Sequence, residues 1–306
     1  MHQSISTFVI SVAPNNFVTT TVSRLSFPLA SSSTSSSDEA VTTSPTIPDP
    51  IIKSKSAIII DEGSGKIIFA KNKDEKLSIA SLTKLMTAMI FLENKNVSWE
   101  QMVSFQKENL QEPSWIKVQP GDQILVTDLF NAVLAASAND AASLLSRLIQ
   151  EPEKFVDLMN QKSKSLGLKN TFFVEPTGLN PQNISTAADL AVLIREAVQK
   201  PEIKQALNVQ KMKIKIIRPD KTYYFRFLNN TNKLLGLPGE IYNAKTGFVE
   251  ESGYCLAGVD SVNNNRFNIV VLGASTSEAR FEEAKILSDW AGKKQALQCA
   301  AQRSLP

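Results

Sequence analysis

The chain has 306 residues, 42% of them hydrophobic and 21% charged, enough apolar material for a substantial core in one large domain or two smaller ones. A net charge of +3 is too small to imply a nucleic-acid partner. The only histidine is His2, in a low-complexity leader, which excludes Ser-His-Asp catalysis and histidine-containing zinc sites on the folded part.

Residues 1–50 differ in character from the rest. Residues 31–37 are Ser and Thr only, and three prolines fall between Thr42 and Pro50, so the segment reads as a leader or flexible linker without a core. Its apolar run at 8–13 is short for a secretory signal and far too short to cross a bilayer, and the first Lys or Arg is Arg24. The folded part, 51–294, begins with a predicted hairpin of strands at 57–60 and 66–70 turning through 62–65. Helices are predicted at 81–93, 128–136 with Thr127 as N-cap, 141–150, 154–166, and 187–199 with Thr186 as N-cap. Strand-like runs follow at 212–217, 241–245, 253–259 and 267–273, then a closing helix at 278–294 and a short tail at 295–306. Strands at both ends around a helical middle predict an α/β (α+β) domain whose sheet carries helices on its faces.

Three strings stand out in this frame: Ser81-Leu82-Thr83-Lys84 heading the first helix, Ser137-Ala138-Asn139 between two later ones, and Lys245-Thr246-Gly247 closing the strand-like segment from Ile241. Each is weak alone. Ser104-Phe105-Gln106-Lys107 and Ser261-Val262-Asn263 fit two of the same patterns, but they lie in polar stretches that read as surface. Helical spacing puts Lys84 one turn from Ser81 on the same face.

A serine hydroxyl needs an adjacent base to become a nucleophile, and no histidine is at hand. A lysine can serve if burial and a second nearby cation lower its pKa by several units. Lys84 has the apolar helix, and Lys245 can be the second cation. A helix N-terminus at Ser81 would direct backbone N–H groups at a developing oxyanion.

The three strings, with Pro120-Gly121-Asp122, residues 166–172, Pro176-Thr177-Gly178-Leu179 and residues 185–190, make the chain from about 51 to 290 resemble the serine D-alanyl-D-alanine carboxypeptidases, the low-molecular-mass penicillin-binding proteins of peptidase family S11. The resemblance implies a β-lactamase/transpeptidase-like fold with a mainly antiparallel sheet and a helical subdomain. It implies that Ser81 is acylated by the D-Ala-D-Ala end of a peptidoglycan stem peptide, with Lys84 as general base and Ser137 relaying a proton in a hydrogen-bonded set with Lys84 and Lys245. Asn139 would hold the substrate backbone, Lys245 and Thr246 the terminal carboxylate, and Gly247 would permit close approach. The oxyanion hole would be the amides of Ser81 and Phe248. β-Lactams would acylate the same serine, no cofactor or metal is implied, and the enzyme would work outside the cytoplasmic membrane. Some relatives carry a further C-terminal β-domain and membrane-binding helix, for which residues 295–306 are too short, so membrane association stays open.

The closest rival is a serine β-lactamase; Glu151-Pro152-Glu153 superficially matches the string around its deacylating glutamate, but proline there suits the first turn of a helix. A non-turnover wall or β-lactam sensor is the other alternative. Lys211, Lys213 and Lys215 alternate with Met212, Ile214 and Ile216 as a strand with a solvated face, the competing reading being a contact with anionic wall polymers. Cys255 sits in an apolar run and Cys299 in the polar tail, and their pairing stays open.

Overall fold

Strict alternation of two apolar sets builds the central sheet. In strand β1 (Ser56–Asp61), Ile58 faces one core while Ala57 and Ile59 face the other. In the last strand, Val270 and Leu272 join Ile58, whereas Ile269 and Val271 join Ile59. A period of two with both faces apolar makes a sheet buried on both sides. The structure, a computed structural model, describes residues 47–237 and 241–303, so residues 1–46 of the leader predicted at 1–50 lie outside the described residues. Ile47, by contrast, packs on the second core and the Pro48 carbonyl accepts from Trp290 Nε1, which puts 47–50 with the folded domain.

After β1 come β2 (Ile67–Lys71) and the short β3 (Leu77–Ser78), then a 3-10 turn at Ala80–Leu82 that runs into α1 (Thr83–Asn94). Next are β4 (Met102–Ser104), β5 (Gln123–Leu125), α2 (Val126–Leu134), α3 (Asn139–Arg147) and α4 (Pro152–Ser165). They are followed by β6 (Ile184–Ser185), α5 (Ala187–Val198), α6 (Pro201–Leu207), β7 (Lys211–Ile217) and β8 (Tyr223–Asn229). The chain closes with β9 (Lys245–Val249), β10 (Gly253–Val262), β11 (Asn265–Ala274) and α7 (Ser277–Arg303).

Five strands pair in the order β2-β1-β11-β10-β9, each antiparallel to its neighbour, which leaves β9 at an edge. Helix α7 covers one face through Phe281, Ala284, Leu287 and Trp290. On the other face α5 links the sheet to a helical lobe centred on α1, whose residues from Thr83 to Phe91 are all buried. Two smaller antiparallel sheets belong to that side: β3-β6, and β4-β5-β7-β8 with β8 at its edge.

Several expectations change. Ser81 lies in the 3-10 turn and α1 begins at Thr83. Thr186 caps α5, accepting from the Asp189 amide, but Thr127 is no cap: its hydroxyl donates to the Trp99 carbonyl, and α2 begins at Val126. Lys245-Thr246-Gly247 opens β9 instead of closing a strand, because Asn243 at φ +48° turns the chain just before it. The closing helix continues past Lys294 to Arg303. Pro152 stands in the first turn of α4, as its sequence context predicts.

Candidate active site

Two segments converge on the turn that carries Ser81. The serine follows Ala80, a non-glycine residue at φ +46°, and the 3-10 turn presents it at the head of α1. Gly178 approaches from one side so closely that a Cβ there would sit 2.0 Å from the Ala80 carbonyl oxygen. Gly247 of β9 approaches from the other, where a Cβ would lie 3.0 Å from the Ser81 amide nitrogen. Only residues without a side chain let both segments close on the nucleophile's backbone.

Lys84, in the first turn of α1, is fully buried and bonds three acceptors: Ser81 Oγ at 2.9 Å, Asn139 Oδ1 at 2.7 Å and the Thr177 carbonyl at 2.5 Å. Burial pulls its pKa down to about 7, against the smaller opposing pull of the Glu175 and Asp140 carboxylates. At that value a large fraction of the side chain is neutral at physiological pH and able to accept the Ser81 proton. Lys245 is buried too and bonds the Thr246 carbonyl at 2.8 Å. Burial, then the charges of Lys84 and Arg280, hold its pKa well below the usual lysine range.

Ser137 is buried, at φ +59°, between α2 and α3. The expected bonded set of Ser137 with both lysines is not formed here, since Lys84 uses Asn139 as its acceptor and Lys245 uses its own strand. Asn139 also donates Nδ2 to the Pro113 carbonyl at 3.0 Å, so in this structure it positions Lys84. Thr246 Oγ1 meets Thr231 Oγ1 at 2.8 Å. The decoys stay apart: Ser104 lies on β4 and Ser261 near the β10–β11 turn.

Two groups were not legible as site residues. Arg280 of α7 is buried, donates to the Gly247 carbonyl at 3.0 Å, and keeps its Nε without a protein partner. Lying 35 residues beyond Lys245, it has no local motif, and only the packing of α7 on the sheet brings it in. Glu175 accepts from the Thr177 amide and hydroxyl and from the Gly178 amide, each at 2.6 Å, and from Asn183 Nδ2 at 2.7 Å. Those bonds shape the turn that offers the Thr177 carbonyl to Lys84; the Glu-Pro-Thr-Gly string was its only sequence trace.

A serine bonded to a lysine of depressed pKa, placed where a helical lobe meets an antiparallel sheet, defines the class of penicillin-recognising serine acyl-transferases. The family profile described as D-alanyl-D-alanine carboxypeptidase, peptidase family S11, matches residues 41–276. The chain is 35% identical over 242 residues to a D-alanyl-D-alanine endopeptidase of Pseudomonas aeruginosa, covering 78% of this chain and 77% of that protein. It is 32% identical over 245 residues to the D-alanyl-D-alanine carboxypeptidase DacF of Bacillus subtilis, covering 78% of this chain but 62% of DacF. Among solved structures, penicillin-binding protein D2 of Listeria monocytogenes, in its cefotaxime-bound form, aligns with a TM-score of 0.68 at 30% identity over 80% of this chain and 99% of that one. The chain belongs to the D-alanyl-D-alanine carboxypeptidase family and is an enzyme of that class.

Proposed function

We propose that the chain removes the terminal D-alanine from peptidoglycan stem peptides through an acyl-enzyme on Ser81. The observation that carries this reading is Lys84 Nζ at 2.9 Å from Ser81 Oγ, with its pKa drawn down to about 7. Ser81 Oγ gives its proton to neutral Lys84 and attacks the penultimate D-alanine carbonyl. The tetrahedral oxyanion is held by the amides of Ser81 and Phe248. As the C–N bond breaks, protonated Lys84 returns that proton by way of the Ser137 hydroxyl to the departing D-alanine nitrogen, which leaves Lys84 neutral and the acyl group on Ser81. Water then attacks the ester, with Lys84 again as base, and frees the enzyme.

Lys245, Thr246 and Arg280 bind the terminal carboxylate. A carboxylate arriving there raises the Lys245 pKa back toward its charged form, since opposite charges favour ionisation. Asn139 keeps Lys84 in place, and the second hydrogen of its Nδ2 is available to the substrate backbone. β-Lactams acylate the same serine. The substrate places the enzyme outside the cytoplasmic membrane, and recovery of full-length, unprocessed protein in the cytosolic fraction would count against that location.

Endopeptidase activity is the second reading, favoured by one observation: the 35% identity over 242 residues to the Pseudomonas D-alanyl-D-alanine endopeptidase. The test incubates the purified protein and Ser81→Ala with a D-Ala-D-Ala peptide, a crosslinked muropeptide dimer and a fluorescent penicillin. Free D-alanine, with penicillin label that decays slowly and is absent from Ser81→Ala, supports the carboxypeptidase. Cleavage of the dimer without D-alanine release supports the endopeptidase. Rapid penicillin turnover would identify a β-lactamase, and stable label with no peptide cleavage a sensor.

A further inference from the structure

The β7–β8 hairpin has an outer face that the acyl-transfer chemistry does not use. Its register pairs Lys211 with Asn229, Lys213 with Phe227, Lys215 with Phe225 and Ile217 with Tyr223, so these side chains share one side of the sheet. Three aromatic residues stand in solvent there: Phe227 is 74% exposed, Tyr223 56% and Phe225 40%. The Lys213 ammonium lies 3.9 Å from the Phe225 ring centroid, and that of Lys215 lies 4.3 Å from Tyr223. The row continues through Gln123 of β5 and Ser104 of β4, and none of these paired positions carries a carboxylate. From Lys211 to Asn229 there are six cations and one carboxylate, Asp220, a surplus of five in a chain of net charge +3; the remainder of the chain is net negative.

We propose that this face is a membrane-docking surface that seats the enzyme on bilayers containing anionic phospholipid. Phenylalanine has no polar tip, so Phe225 and Phe227 gain only by leaving water, and the interfacial zone of a bilayer receives them. Lysines beside them reach headgroup phosphates while their alkyl stems lie along the apolar surface, and each cation adds attraction to an anionic leaflet. A polysaccharide fits less well. Sugar rings stack on open aromatic faces, whereas the rings of Phe225 and Tyr223 each have a lysine ammonium over them. Asp220 does not interrupt it: in the turn, that carboxylate accepts from the Thr222 amide and hydroxyl.

The test is co-sedimentation of the full chain with vesicles of phosphatidylcholine alone and of phosphatidylcholine mixed with phosphatidylglycerol, at low and high salt. The wild type is expected to pellet with the anionic vesicles and to be released by salt. Phe225→Ser/Phe227→Ser and Lys213→Glu/Lys215→Glu are each expected to weaken partitioning about tenfold or more. Both are exposed substitutions outside the acylation site, and unchanged thermal melting with unchanged D-alanine release from a soluble peptide shows that they fold. Because the readout is vesicle binding, failure of the catalytic assignment leaves it intact. Equal pelleting of wild type and both variants overturns the proposal, as does absence of wild-type binding. Hairpin-dependent pelleting with lipid-free peptidoglycan sacculi in place of vesicles also overturns it, in favour of a wall polymer.

Discussion

Lys84 has to be buried enough to lose its proton yet bonded enough to stay in place. The acceptors Ser81 Oγ, Asn139 Oδ1 and the Thr177 carbonyl meet the second need without a direct carboxylate bond that would hold the proton on it. Since only the neutral amine accepts the Ser81 proton, the acylation rate should rise with pH through a midpoint near 7, read from penicillin labelling between pH 5.5 and 9 (on the order of one decade per unit on the acid limb). Lys84→Ala should lose about 10²–10⁴ in that rate and with it the midpoint near 7. Gly178 makes a different demand. At φ +84°, with no room for a Cβ beside the Ala80 carbonyl, Gly178→Ala should displace the nucleophile turn. The expected result is a fold destabilised by about 1–3 kcal/mol in urea titration together with slower acylation.

Helix α7 joins the site to the far face of the sheet, because Arg280 in its first turns reaches the Gly247 carbonyl while Phe281 and Leu287 bury beneath β10 and β11. Arg280→Leu should raise KM for a carboxylate-ended peptide about 10–100-fold, the worth of a charge-assisted bond, while an amidated peptide loses little; steady-state kinetics on the pair would check it. This residue also marks where sequence reading stops. Helices with a regular apolar period were legible, as was the cap at Thr186, while of the three strings the structure brings Asn139 to Lys84 and Gly247 to the Ser81 amide. Arg280 was not, because its role comes from tertiary packing of a helix whose own pattern shows only a core face. Thr127 misled since a threonine before an apolar run resembles a cap, while its hydroxyl satisfies a loop carbonyl. Strand β8 escaped because Tyr223, Phe225 and Phe227 point outward and Arg226 inward to the Ile116 carbonyl, the reverse of the usual alternation.

For the whole molecule, the site lies between two cores that share one sheet, and it puts two lysines where water would stabilise them better. Lys84 titrates near 7 when folded and near its ordinary value when unfolded, so between those values the unfolded chain holds more protons. Stability attributable to this group therefore increases as pH rises above 7 and is flat below it. Relative to Lys84→Met, the wild type should gain up to about 1.4 kcal/mol per pH unit between pH 7.5 and 9.5 in urea denaturation, the slope being the diagnostic quantity.

The position of β9 at the sheet edge has a consequence for what the enzyme can process. One side of that strand is taken by β10, and the other runs past the nucleophile turn, so a bound stem peptide can lie alongside as a temporary sixth member of the sheet. Main-chain pairing of that kind is blind to side-chain identity. Discrimination along such an edge falls on the free end of the peptide and on its backbone amides.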